Sequence, residues 1–158
     1  MPATITAITN QKGGVGKTTV AAALLSCLHQ RGARVLGVDL DPQGSLGFSL
    51  GLDIEHCQTI YDVFRGAAEP QDIIAHTETC DLMPSNILLS AAELEFNKPG
   101  REFLLKTALS KVQEGYDYII IDTPPALNIL TVNAYVAADS LIIPMAPEVL
   151  SLLGVLQI

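Results

Sequence analysis

The run Lys12-Gly13-Gly14-Val15-Gly16-Lys17-Thr18-Thr19 gathers the residue types that hold a phosphate chain. Gly13, Gly14 and Gly16 let the backbone curl so that successive N–H groups turn inward around an anion. Lys17 supplies a cation within reach of β and γ phosphates, and the Thr18 hydroxyl is the kind of oxygen that ligates Mg²⁺ in such loops. Gly13, Gly14, Val15, Gly16, Lys17, Thr18 and Thr19 are therefore the candidate nucleotide-binding residues. The pattern G-x-x-x-x-G-K-[ST] would place glycine where the chain has Gln11, but its second half, Gly16-Lys17-Thr18, is intact. A plain glycine turn before a buried helix is the competing reading, and a Gly-Lys-Thr that follows a strand argues against it.

Two acidic stretches could complete such a site. Asp122 ends the apolar run Tyr118-Ile119-Ile120-Ile121 and precedes Thr123-Pro124-Pro125. An acid at the end of a buried strand is placed to hold Mg²⁺ directly or through water, although strand-end acids also cap loops. Asp39-Leu40-Asp41-Pro42-Gln43-Gly44 offers two more carboxylates, whose i, i+2 spacing alone does not aim them at one point. His29, His56 and His76 are scattered without ligand spacing and read as ordinary surface or packing residues. Cys27, Cys57 and Cys80 are an odd number without CxxC spacing, so neither a disulfide framework nor a zinc cluster is suggested and they read as reduced, structural thiols.

The elements that must carry these residues alternate. A strand is predicted over Thr4–Thr9, then a helix from Thr18 to a stop at Arg31-Gly32, then an interior strand over Val35–Asp39. Asp41 to Gly51, with three glycines and a proline, reads as an exposed loop. Thr59-Ile60-Tyr61-Asp62 can cap a short helix ending near Gly66, and Pro70 to Ala75 offers another turn. Leu82-Met83-Pro84 ends a brief strand, and Ser90-Ala91-Ala92-Glu93 has the spacing to cap a helix through Glu95 or Phe96. A longer helix is expected from Arg101 to Glu114, with Phe103, Leu104, Ala108, Leu109 and Val112 facing inward. Tyr118–Asp122 reads as the central strand, Asn128–Ala137 as helix, Ser140–Pro144 as a last strand, and Ser151 onward as a helical start. Tyr116, Tyr118, Phe103 and the other aromatics are expected in the core. Apolar strands alternating with helices predict an α/β fold with a mostly parallel central sheet covered on both faces.

At 158 residues, 49% hydrophobic and 16% charged, the chain can bury one sizeable core, and one domain over 1–158 is expected. No window is long and apolar enough for a membrane span, and the start lacks the order of a signal peptide, so a cytoplasmic setting is expected. A formal charge of −8, without any run of adjacent Lys or Arg, argues against strong nucleic-acid binding by this segment itself. The chain stops in the apolar Leu152-Leu153-Gly154-Val155-Leu156-Gln157-Ile158, which reads as truncation.

The Lys-Gly-Gly-x-Gly-Lys-Thr run resembles that of the ParA/MinD family of deviant-Walker P-loop ATPases, and Asp-Pro-Gln-Gly with Met83-Pro84-Ser85-Asn86 and Ala92-Glu93-Leu94-Glu95 resembles its Soj/ParA branch. The resemblance extends over essentially all 158 residues but matches only the N-terminal portion of a family member. It implies a P-loop NTPase fold lacking the family's C-terminal elements, with ATP and Mg²⁺ as cofactors. It also implies that Lys12 crosses an ATP-bound homodimer interface to the partner's nucleotide, that Thr18, Asp39 and Asp122 lie at the metal, and that Asp41 orients or deprotonates the attacking water. Lys12, Lys17 and Asp41 are thereby the candidate catalytic residues, and Thr123-Pro124-Pro125 corresponds to a switch that relaxes on loss of the γ-phosphate. The implied role is ATP-driven chromosome or plasmid partitioning, with a ParB-like adaptor and nonspecific DNA as partners, nucleoid association if the full-length protein binds DNA, and no membrane. A MinD-like regulatory ATPase and a nucleotide-dependent interaction module without turnover are the alternatives.

Overall fold

Six strands make one sheet in the order β3-β4-β2-β5-β1-β6, in a computed structural model that describes residues 2–96, 98–145 and Leu156. The strands are β1 (Thr4–Ile8), β2 (Val35–Asp39), β3 (Ala75–His76), β4 (Asp81–Met83), β5 (Tyr118–Asp122) and β6 (Ser140–Ile142). All pairings are parallel except β3 against β4. Six α-helices are described: α1 (Lys17–Gln30), α2 (Ser45–Ser49), α3 (Ile60–Phe64), α4 (Ala92–Glu95), α5 (Leu104–Ser110) and α6 (Ile129–Ala137).

The strand residues divide between two cores. Ile5, Ala7, Leu36, Val38, Ile119 and Ile121 face the layer that includes α3, α5 and α6. Ile8, Val35, Leu82 and Ile120 face α1 and α2, against Ala21, Leu25 and Leu46. Alternating faces that are both covered require apolar residues throughout, which is why β2 and β5 read as unbroken hydrophobic runs. Gly37 of β2 is held to hydrogen by this packing: a Cβ there would lie 2.8 Å from Leu82 Cδ1 and 2.9 Å from Leu25 Cδ1.

Parallel pairing sets the register that matters most. Ile8 and Asp39 both lie opposite Asp122, so the C-terminal ends of β1, β2 and β5 form one edge. In open α/β sheets that edge, where connections diverge, is where ligands bind.

Several expected elements differ. The stretch Asp41 to Gly51 is not a plain loop: it contains α2, in which Leu46 and Gly47 are buried. The helix forms because Gly44 adopts a left-handed φ of 63° and the Asp39 carboxylate accepts the Leu46 and Gly47 amides. Ser90 is not the cap of the next helix. Asn86 accepts from the Leu88 amide and opens a 3-10 turn, Ile87–Ala91, that leads into α4. The helix expected over 101–114 is broken into a 3-10 turn (Arg101–Phe103), α5 and a second 3-10 turn (Gln113–Gly115). Leu105 is fully buried there, whereas Phe103 is 48% exposed; Tyr118 is also partly exposed, contrary to the expected core placement. The short antiparallel β3 had no period-2 pattern to announce it. The helix expected from Ser151 onward lies outside the described residues apart from Leu156.

Candidate nucleotide site

The glycine-rich run follows β1 directly and ends as α1 begins. Gly14 and Gly16 take φ values of 74° and 91°, the left-handed region that glycine reaches without steric cost. The N-terminus of α1 carries no side-chain cap and no acid in its first turn. Its first amides and the positive end of a 14-residue helix are thus directed at the loop's hollow, an arrangement suited to an anion.

A hollow of about 370 Å³ opens there, lined by Gly13, Gly14, Gly16, Lys17, Thr18 and Thr19, with Asp41, Ser45 and Pro125 from facing segments. Larger hollows exist elsewhere, including one of about 690 Å³ by His29, Arg34 and Tyr116. That one adjoins the opposite, N-terminal ends of β2 and β5, away from the glycine loop.

Lys17 is almost wholly buried, and its ammonium donates to the Lys12 carbonyl at 3.1 Å. Burial lowers its pKa, while Asp122 and Asp41 oppose that shift. Lys12 is half-buried at the start of the loop, its amide bonded to Asn10 Oδ1 at 2.9 Å. Neither Lys12 nor Val15 lines the hollow. Asn10, which the sequence reading did not single out, is buried and also donates to the Pro144 carbonyl, pinning the loop's entrance.

Asp122 is fully buried at the end of β5. Its Oδ2 accepts from the Thr18 hydroxyl at 2.6 Å, while Oδ1 is buried without a hydrogen-bond partner among the described residues. An unsatisfied buried carboxylate oxygen is costly, and burial pushes the Asp122 pKa up to about 6 despite Thr18 and Lys17. A hydroxyl and an orphaned carboxylate oxygen are the donor set of a hard cation that keeps waters and phosphate oxygens. No cluster of three or more His, Cys, Asp or Glu suited to a metal occurs among the described residues, so an all-protein cage is not what this site offers. The residues fit Mg²⁺ accompanied by a phosphate ligand.

Asp39, beside Asp122 in register, does not line the hollow. Its Oδ1 accepts the Asp41 amide at 3.0 Å and its Oδ2 accepts the amides of Leu46 and Gly47 at 3.1 and 3.3 Å. Burial, reinforced by Asp122, raises its pKa to about 8. Asp39 therefore clamps the loop that presents Asp41 and Ser45 to the hollow. Ser45 is a lining residue that sequence reasoning missed; its only signal is its place after the left-handed Gly44. Across the hollow, Thr123 donates to the Ile8 carbonyl at 2.8 Å, fixing the segment that ends in Pro125 against β1.

A family model described as an AAA domain matches residues 3–158. The sporulation initiation inhibitor protein Soj of Bacillus subtilis is 48% identical over 98% of this chain and 62% of its own length. The chromosome partitioning protein ParA of Caulobacter vibrioides is 41% identical over 99% of the chain and 61% of its own length. Among solved structures, cobyrinic acid a,c-diamide synthase of Mycobacterium smegmatis with bound ADP and magnesium superposes with a TM-score of 0.94 at 43% identity, over 98% of this chain and 64% of that one. The same protein is also known with a bound ATP analogue and magnesium. This chain spans less than two thirds of the length of each of these relatives.

Proposed function

The chain belongs to the ParA/Soj-type P-loop ATPases of the ParA/MinD family, and from that membership we propose that it binds MgATP and hydrolyses it as part of an ATP-dependent dimer that positions DNA. The observation that carries the reading is the opposition of the uncapped, lysine-bearing glycine loop to Asp122, whose one oxygen holds Thr18 while the other has no partner.

In this reading the inward amides of Gly13 to Thr19 and the positive end of α1 hold the phosphates, and Lys17 exchanges its contact with the Lys12 carbonyl for a phosphate oxygen. Thr18 and Asp122 hold Mg²⁺, which when bound supplies positive charge to the phosphate oxygens. Asp41, on the rim of the hollow, orients the attacking water and accepts its proton. Asp39 serves the metal side indirectly, by fixing the Asp41 loop next to Asp122. Lys12 reaches the nucleotide of a second copy. Because most of this chemistry is charge placement, its effect depends on groups fixed before the substrate arrives, which the clamps at Asn10, Asp39 and Thr123 support.

Phosphate release from MgATP, measured with the chain and its Asp41→Ala variant, tests this. Slow release that the substitution removes supports it; equal release by both contradicts it. A second reading draws on the cobyrinic acid a,c-diamide synthase structures and makes the nucleotide a source of activation energy for forming an amide. Under that reading phosphate release requires an added carboxylic acid and nitrogen donor, whereas the ATPase reading requires neither.

A further inference from the structure

Two adjoining hollows lie on the α3–α4–α5 face, outside the nucleotide site. The larger, of about 440 Å³, has Arg65, Lys98 and Arg101 around a floor of Phe64, Phe96 and Leu104. The smaller, of about 180 Å³, shares Phe64, Gly100 and Leu104 with it and continues between Val63, Pro70 and Phe103. A cationic cup thus leads into a slot whose lining is apolar apart from Thr107 and the Glu69–Lys111 ion pair.

The concentration of charge is unusual for this chain. Three of its nine Lys and Arg residues border one hollow on a polypeptide of formal charge −8. Two other cations are matched: Arg34 pairs with Asp117 and Lys111 with Glu69. Among the described residues, Arg65, Lys98 and Arg101 form no ion pair within 4 Å. The acid in the lining, Glu95, is engaged elsewhere, taking hydrogen bonds from the Tyr61 hydroxyl at 3.0 and 2.8 Å.

Two of the three cations are also held in place. The Arg65 guanidinium sits 5.2 Å from the Tyr61 ring centroid, and Arg101 Nη1 donates to the Phe96 carbonyl at 3.2 Å. Phe96 in turn meets Phe64 edge-on at 5.8 Å. A preformed rim loses less freedom on binding than flexible side chains would.

We propose that this face binds a short acidic segment of another protein, its carboxylates against Arg65, Lys98 and Arg101 and one apolar side chain in the slot beside Phe103. Arginine matches carboxylates through paired donors, and the half-exposed Phe103 offers apolar area to cover. A nucleic-acid duplex fits less well. Its phosphates call for an extended row of cations, whereas these ring a concavity with an apolar floor.

The test is fluorescence anisotropy with a labelled peptide, Glu-Glu-Glu-Leu-Phe-Glu-Glu, titrated with the chain at low salt. A counterpart with every Glu replaced by Gln and an unlabelled DNA duplex as competitor complete the set. Saturable binding of the acidic peptide is expected, weakened about tenfold by the Gln replacement and by the doubly substituted Arg65→Glu, Lys98→Glu chain. Nucleotide binding by that variant should be unchanged, which reports an intact fold and separates this site from the P-loop. Absence of peptide binding, equal affinity for the reversed-charge variant, or displacement by DNA at lower concentration than by unlabelled peptide would each overturn the proposal.

Discussion

At the scale of single residues, the proposed function divides the work of the site between Lys17, which would hold phosphate, and Asp41, which would act on the attacking water. Asp41 comes to the hollow from the segment after β2, whereas Lys17 and Thr18 come from the start of α1, so in the proposed reading removing Asp41 should spare binding and damage turnover. Asp41→Ala is expected to lower phosphate release about 100-fold or more, the usual contribution of a positioned base, with the affinity for a nonhydrolysable analogue kept within a few-fold. Parallel single-turnover and equilibrium binding assays check this, and a joint loss of both would place Asp41 among the phosphate contacts instead. The buried acids carry a second expectation. Asp122 and Asp39 have folded pKa values raised to about 6 and about 8 from 3.8, so the folded state binds their protons more tightly than the unfolded chain does. Their contribution to stability is complete below the unfolded value and is lost as pH rises through the folded ones. Without nucleotide and with chelator present, Tm should therefore fall between pH 5 and pH 9, and Asp122→Asn should flatten the part of that fall around pH 6. A Tm that rises over the same range would contradict the burial of these carboxylates.

At the scale of elements, what the sequence made legible follows from how local the determining physics is. The β1–loop–α1 unit could be read because its glycines, its lysine and its helix-forming alanines act within one stretch of chain. The strands β2 and β5 could be read because burial on both faces leaves an unbroken apolar run. Illegible were the features set by distant partners. Helix α2 exists because Asp39 reaches across seven and eight residues to its amides, and Ser45 enters the site only as a result. The helix expected through 101–114 breaks although its composition is helical; Asn133 of α6 accepts the Leu105 amide and donates to the Arg101 carbonyl, drawing the two segments to a separate element. The element scale has its own test at Gly37, which the composition of β2 does not distinguish from a valine. Gly37→Ala would push a methyl into Leu25 and Leu82, at a cost of about 1–3 kcal/mol from overpacking, measurable by urea unfolding. An unchanged midpoint would mean that α1 packs less closely on β2 than the distances describe.

At the scale of the whole molecule, the sheet's edge is the organising fact. Parallel register sets Ile8, Asp39 and Asp122 side by side, and every proposed nucleotide contact hangs from the ends of those strands. The proposed dimer would close over this edge with nucleotide between the two copies, so its formation should depend on nucleotide. Light scattering after size-exclusion chromatography should give a monomer mass without nucleotide and a dimer mass for Asp41→Ala with MgATP, and the Lys12→Ala, Asp41→Ala chain should stay monomeric. The same mass in every condition would leave the nucleotide site but remove the dimer. The proposed function rests on the cup formed by residues 13 to 18 opposite Asp122. Isothermal titration of the chain and its Lys17→Ala variant with a nonhydrolysable ATP analogue, with and without Mg²⁺, addresses it most directly. Saturable one-site binding that strengthens with Mg²⁺ and falls about 100-fold or more in the variant is the expected result. Heats indistinguishable between the two chains, or binding indifferent to Mg²⁺, would contradict it.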